Sequence, residues 1–285
     1  FEFIKPQLQG IVYLIVDDTL CEKAGKKIQG VARNFDHCEK RTVLSHSIVC
    51  AIIKCSDIIL PYEIKLYRKI EICKGVTFKT KITLAREIIE KFLSLDFSSK
   101  IILFDAFYGA AEIIKEIGNK AKWVACCKSN RIVNHGKFNY SLQELATYIK
   151  PEQFDEIKVN RKTYFVFEYE ADMNGIGIVK IVFSKKKRYS KYISYFFTNM
   201  REAGGREVLL HYSERWNIEV FFRDAKQNLG LGRYQMRSMK GIIKHWYLVA
   251  VTYSLLSHLL SSMKRTAQTI GQMCKHIRRN LADIR

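Results

Sequence analysis

Apolar runs separated by polar breaks dominate the first half of the chain, and their period predicts strands before helices. Residues 11–16, IVYLIV, form a compact β-branched and aromatic run of the kind that makes a buried strand. The run ends directly in Asp17, Asp18 and Thr19. Residues 20–42 are polar and basic with Gly25 and Gly30, which predicts a loop or loose hairpin. VLSHSIVCAIIKC, 43–55, predicts a second strand, and a third follows at 59–67 across Pro61, giving an antiparallel meander. The period then changes. In TLAREIIEKFLSL, 83–95, Leu84, Ile88, Ile89 and Phe92 recur at helical spacing. IILFD, 101–105, is a short strand running into an aspartate; 110–117 is a short helix closed by Gly118; and WVACC, 123–127, is a further strand.

Residues 128–205 carry alternating pieces such as TYFVFEYE, GIGIVKIVF and YISYFFT and predict a mostly β segment, an insertion or an extension of the sheet. Between Lys180 and Lys191 stand Lys185, Lys186, Lys187 and Arg188 with no acidic residue, which fits a charged hairpin that is solvated or touches a polyanion. Helix is expected again from 206 to about 228, with Trp216 and Val220 pinning it to the sheet and Gly230 and Gly232 ending it. A second apolar helix is expected over 241–262. Thr252, Ser254, Ser257 and His258 make it too polar and short for a membrane span and suit it to a buried position. The tail, 263–285, reads as a short basic amphipathic helix, with Lys264, Arg265, Lys275, Arg278, Arg279 and Arg285 against Asp283. The chain is thus expected to be α/β, with 1–127 and 206–262 forming one domain, 128–205 inserted into it, and a basic tail after it.

Charge narrows the partners. Lys and Arg number 48 against 28 Asp and Glu, a net +20, which attracts polyanions at long range. Nucleic acid fits that excess better than an anionic membrane surface. The eight cysteines include no C-x-x-C pair, and a chain of 285 residues buries enough core to do without disulfides, so reduced thiols and a cytoplasmic, nucleoid-associated location are expected. No phosphate-binding glycine loop occurs, and GIGIVK within a strand-like run is not a dinucleotide loop, so no nucleotide cofactor is expected.

Two apolar strands each running into an aspartate suggest chemistry, because aspartate is a poor strand residue. If those strands are neighbours, Asp18 and Asp105 converge at the sheet rim, and such a carboxylate pair calls for a hard cation; turn capping is the plainer explanation of each alone. On the helix expected at 206–228, Tyr212, Arg215, Glu219 and Lys226 fall on one face. An Arg215–Glu219 ion pair accounts for a surface helix by itself but not for the tyrosine that shares the face. Two aspartates and a glutamate suit two divalent ions, with Arg215 and Lys226 holding flanking phosphates.

The segment YSERWNIEVFFRDAK, 212–226, resembles the Y-x2-R-x3-E-x6-K signature of bacterial insertion-sequence transposases of the DDE superfamily. LIVDDT resembles the family's first-aspartate strand, LFDAFYG its second, and NLGLGRYQMRS its continuation after the glutamate helix. The resemblance implies a ribonuclease-H-like mixed sheet with flanking helices, interrupted by a β-rich insertion between the second aspartate and the glutamate. It implies Asp18 (the aspartate directly before the threonine, with Asp17 its neighbour), Asp105 and Glu219 as the ligands of two Mg²⁺ or Mn²⁺ ions, and Tyr212, Arg215 and Lys226 as phosphate-handling residues. It further implies nicking at transposon ends, 3′-OH strand transfer into target double-stranded DNA, and a dimer on DNA. A nuclease of the same fold that does not join strands, and a catalytically silent DNA-binding protein, are the alternatives. Members usually carry an N-terminal domain that reads the terminal repeat, and none stands between Phe1 and the first strand.

Overall fold

The computed structural model describes residues 5–73, 75–136, 138–262 and 269–282. The chain divides into two compact units, Phe1–Ile88 with Asn217–Arg285, and Ile89–Trp216. The segment 128–205 lies inside the second.

In the first unit, β1 (Ile11–Glu22), β2 (Ala32–Asp36), β3 (Arg41–Cys55) and β4 (Ile58–Tyr67) form the expected meander. Antiparallel β3 is flanked by β1 on one side and, on the other, by β2 at its start and β4 along the rest. The first strand is longer than its apolar run. It passes through the aspartates to Glu22, because β3 is long enough to offer every residue a partner, Asp17 opposite Cys50 and Asp18 opposite Val49. The aspartates are therefore inside a strand, not at its end. Residues 20–42 likewise contain β2, tied to β3 by Asn34, whose amide donates to the Ser45 hydroxyl at 3.0 Å. Helix α1 (Lys81–Leu93) follows β4.

The two faces of this sheet can be told apart by their contacts, since side chains alternate along a strand. Asp18 and Val49 lie opposite each other, Val49 opposite Lys65, and Ser47 opposite Tyr67, so Asp18, Lys65 and Tyr67 share one face. On it stands α1: Glu87 accepts from Lys65 at 2.6 Å, and Lys81 lies 5.7 Å from the Tyr67 ring. The other face carries Thr19, Cys21 and His46.

The second unit holds β5 (Ser99–Phe104), α2 (Ala111–Ile117), β6 (Lys122–Cys127), β7 (Ile132–His135), β8 (Phe138–Ser141), α3 (Leu142–Thr147), β9 (Asp155–Val159), β10 (Lys162–Met173), β11 (Gly177–Lys185), β12 (Ser194–Thr198) and α4 (Gly205–Ser213). Its sheet is mixed: β5 and β6 are parallel, the requirement that the α2 crossover meets, while β12, β11, β10 and β7 follow β6 antiparallel. Trp123, fully buried, stacks on Phe104 at 6.3 Å and meets the edge of Phe197 at 5.0 Å, which fastens β6 between β5 and β12. The short α3 opens on an S-x-x-E capping box: the Ser141 hydroxyl accepts from the Glu144 amide, and the Glu144 carboxylate accepts from the Ser141 amide.

The helix expected over 206–228 is two helices, α4 and α5 (Trp216–Asn228). Between them the turn tightens. The Glu214 amide donates to the His211 carbonyl at 3.1 Å and the Arg215 amide to the Tyr212 carbonyl at 3.0 Å, both i→i−3 bonds. Neither Gly nor Pro marks the spot in the sequence. Tyr212 is thus on α4, Arg215 in the turn, and Glu219 and Lys226 on α5. Trp216 does not pin the helix: it is 61% exposed, and Ile218, Phe221, Phe222 and Ala225 are buried instead. Helices α6 (Met239–Ser262) and α7 (Ile270–Ala282) complete the first unit. Helix α7 is amphipathic as expected, with Ile270, Met273 and Cys274 buried; Lys264, Arg265, Asp283 and Arg285 lie outside the described residues. Among the described residues no helix is long and apolar enough to cross a membrane.

Candidate active site

Strand β1 supplies two carboxylates with opposite surroundings. Asp18 faces α1, where the Lys81 ammonium stands 2.5 Å from its Oδ2. Asp17 shares its face with Thr19, Cys21 and Lys23, the residues that hold the signature helix and the segment after it. Lys226 of α5 donates to the Thr19 hydroxyl at 2.7 Å. The Cys21 thiol contacts the Leu231 carbonyl at 3.8 Å, and Lys23 reaches the carbonyls of Gly232 and Tyr234 at 2.5 and 2.9 Å. Residue numbers rise together on both sides of these contacts, so the chain from Lys226 to Tyr234 runs in the direction of β1. Burial pushes the Cys21 thiol up to about 11, against Lys226 and Lys23, which pull it down. Burial also drives the Cys50 thiol well up, and the charges of Asp18 and Asp17 add to that. Both thiols are protonated at neutral pH.

In the second unit Asp105 follows β5 directly and caps the next turn, its Oδ1 accepting from the amides of Phe107 and Tyr108 at 2.9 and 3.0 Å. Near it lie Cys126, Tyr212 and Arg215. Burial raises the Tyr212 phenol well above its ordinary range; Cys126 and Asp105 push the same way and Arg215 opposes them. The Tyr212 ring packs on Phe196 at 4.7 Å, and Arg215 stands over it at 5.9 Å. Cys126 carries no signal in the sequence beyond its place in a strand. Asp18 and Glu219 belong to the first unit and Asp105 to the second. Among the described residues, no three or more histidine, cysteine, aspartate or glutamate side chains are grouped to hold a metal ion.

Two family models match. One, described as a transposase DDE domain, covers residues 79–255, more than half of the chain, and includes Asp105, Tyr212, Arg215, Glu219 and Lys226. The chain belongs to the DDE transposase family. The second, described as a DDE superfamily endonuclease, covers residues 4–135 and so includes both Asp17 and Asp18. No curated protein matches the chain. Mixed sheets with flanking helices agree with the ribonuclease-H-like fold of a DDE domain.

Within this transposase domain the basic turn divides by role. Lys185 ends β11 and is buried, its ammonium 4.1 Å from the centre of the Phe154 ring, and burial lowers its pKa. Arg188 donates to the carbonyls of Pro151 and Phe154 at 3.3 and 2.6 Å. Lys186 and Lys187 are the exposed pair. In the sequence the four look equivalent, because nothing in the run marks which cations the fold uses. Beside this turn lies a cleft of about 760 Å³ whose lining includes Lys162, Lys186, Tyr192, Tyr212 and Trp216. It combines cations, hydroxyls and open aromatic faces, the surface chemistry that suits a nucleic acid strand.

Proposed function

We propose that this DDE domain cuts DNA at a transposon end and joins the freed 3′-OH to target DNA. The observation that carries the site is the hydrogen bond from Lys226 of α5 to Thr19 of β1. Lys226 meets Thr19, and Glu219 lies two turns earlier on the same helix. Two turns are about 11 Å, or about three residues of strand, so a helix laid in the direction of β1 from that point carries Glu219 towards Val16 and Asp17. This supports Asp17, rather than Asp18, as the β1 carboxylate that acts with Glu219 and Asp105, because Asp18 faces α1 and Lys81.

All three side chains offer oxygen donors, the class that Mg²⁺ and Mn²⁺ select. The described residues form no ready group of three, so metal binding is measured first in the test below. A divalent cation bound by these carboxylates supplies Lewis-acid stabilisation and a more acidic attacking hydroxyl. The remaining work falls to the chain. Arg215 forks onto a phosphate and Lys226 adds a point charge. Tyr212 stays a phenol at neutral pH, so it donates to a phosphate oxygen and is not a nucleophile. Double-stranded DNA reaches the site through the positive field of a chain carrying +20, and a dimer on DNA brings two ends together.

The test is end cleavage with Mg²⁺ or Mn²⁺, preceded by calorimetric titration of Mn²⁺. The Glu219→Gln protein should bind the end and not cut it; unchanged cutting would remove Glu219 from the site. A pre-cut 3′-OH end offered with a target plasmid separates strand transfer from hydrolysis alone: joined products support transfer, and nicked plasmid without joining identifies a nuclease.

A further inference from the structure

The first unit contains a lysine buried to 9% exposure whose ammonium hydrogen-bonds to the segment that follows α5. Lys23 stands just beyond the end of β1. Its ammonium donates to the carbonyls of Gly232 and Tyr234 and sits 3.3 Å from the centre of the Tyr234 ring. The Tyr234 hydroxyl is 2.7 Å from Nδ1 of His46, which is fully buried, and Nε2 of His46 is 2.8 Å from the Gln29 carbonyl. The neighbouring loop is closed as tightly. Gly30 has φ +80°, and a Cβ there would collide with the Met239 side chain.

Burying an ammonium is costly unless its donors are satisfied, and lost rotamer freedom adds to the cost. An apolar residue would fill the same space with neither cost. What the lysine adds is direction: two carbonyls, two residues apart, fixed to one point at the end of β1. With Lys226 on Thr19 and Cys21 against the Leu231 carbonyl, it makes the third of three attachments at alternate positions of one strand face. A helix held at one point can slide or rotate. One held at its last turn and again beyond its end cannot.

We infer that Lys23 is a positioning residue that sets the register of α5 on β1 and so holds Glu219 level with Asp17. The inference rests on the site proposed above. It assigns Lys23 no contact with DNA.

Two proteins test it, Lys23→Met, which keeps the bulk, and Lys23→Arg, which keeps the charge and donors. Amide hydrogen exchange is read on each metal-free protein. Residues 226–234 should exchange at least tenfold faster in Lys23→Met, with β3 and β6 unchanged, and Lys23→Arg should recover part of that protection. In end cleavage, Lys23→Met should lower kcat roughly 10- to 100-fold, the usual cost of removing a group that orients catalytic ligands, with KM for the DNA end unchanged. Exchange over 226–234 equal to wild type would overturn the inference. So would a loss of activity that only tracks the folded fraction, or that appears in KM. If the wild-type chain does not cut DNA at all, the proposed function fails while the exchange result still decides the register role.

Discussion

Asp17 and Asp18 are adjacent in β1 and leave it on opposite faces. Asp18 meets Lys81 at 2.5 Å, and Asp17 shares the face on which Lys226 reaches Thr19. A motif aligned by its threonine selects Asp18, whereas strand alternation selects Asp17. The two choices make opposite predictions. Asp17→Asn should reduce end cleavage at least 100-fold, on the scale of other lost transition-state electrostatics, with DNA binding kept. Asp18→Asn breaks an ion pair whose side chains are about a quarter exposed, which is worth on the order of 1 kcal/mol or less. Its cleavage rate should stay within about threefold of wild type. Melting curves and single-turnover rates for both proteins check this; a dead Asp18→Asn with an active Asp17→Asn reverses the assignment.

Much of the fold is legible in the amino-acid sequence, and the features that are not share a cause. The period of hydrophobic positions locates β1, β3, β5 and β6 and the helices around them, because burial on one face leaves a direct trace in sequence. It ends β1 at Asp17 because polar residues within a strand leave none; only the length of β3 keeps Thr19, Cys21 and Glu22 paired. The same limit hides the turn at Glu214 and Arg215, where two backbone hydrogen bonds shift from i−4 to i−3 with no residue to announce it. The spacing of Tyr212, Arg215, Glu219 and Lys226 suggests one helix face, but the turn puts Tyr212 on α4 and Glu219 and Lys226 on α5. Lys23 is not legible, since a lysine in a basic stretch looks like solvated charge until Gly232 and Tyr234 are folded onto it.

The basic turn gives a second prediction. Lys186 and Lys187 are exposed, whereas Arg188 is spent on the carbonyls of Pro151 and Phe154. Replacing Lys186 and Lys187 together by alanine should weaken DNA binding, and should lower the slope of log affinity against log salt by about 2, one for each phosphate no longer neutralised. The melting temperature should not move. Arg188→Ala should do the reverse, costing about 1–3 kcal/mol of stability through two carbonyls left without their donor, with the salt slope unchanged. Fluorescence anisotropy across a salt series and thermal melts separate the two. Equal salt slopes for the double variant and wild type would place the DNA path elsewhere.

Acid should loosen the fold through buried imidazoles. Burial is the main reason that both His46 and His211 titrate below 6.5. Around His46, Lys23 and Arg68 add to the lowering and the Gln29 carbonyl opposes it. Around His211, Lys122 adds to it, while Glu207 and Glu214 oppose it. The sign follows from proton counting. Between the folded pKa and 6.5 the unfolded chain binds more protons than the native one, so stability rises with pH in that window. The contribution is complete above 6.5 and is lost as pH falls through the folded value. Each histidine can change the unfolding free energy by at most about 1.4 kcal/mol per pH unit there. Urea unfolding at pH 8, 7, 6 and 5 should therefore show stability falling on the acid side. His46→Gln replaces a titrating group with a neutral one. It should be less stable than wild type at pH 8 by about 1–3 kcal/mol, for the hydrogen bonds to Tyr234 and Gln29 that it makes less well. The gap should then narrow towards pH 5, because wild type loses what the variant never had. A gap of constant width across that range would mean that His46 keeps its ordinary affinity for protons in the folded chain, and that the Tyr234 contact behind the Lys23 attachment tolerates an imidazolium.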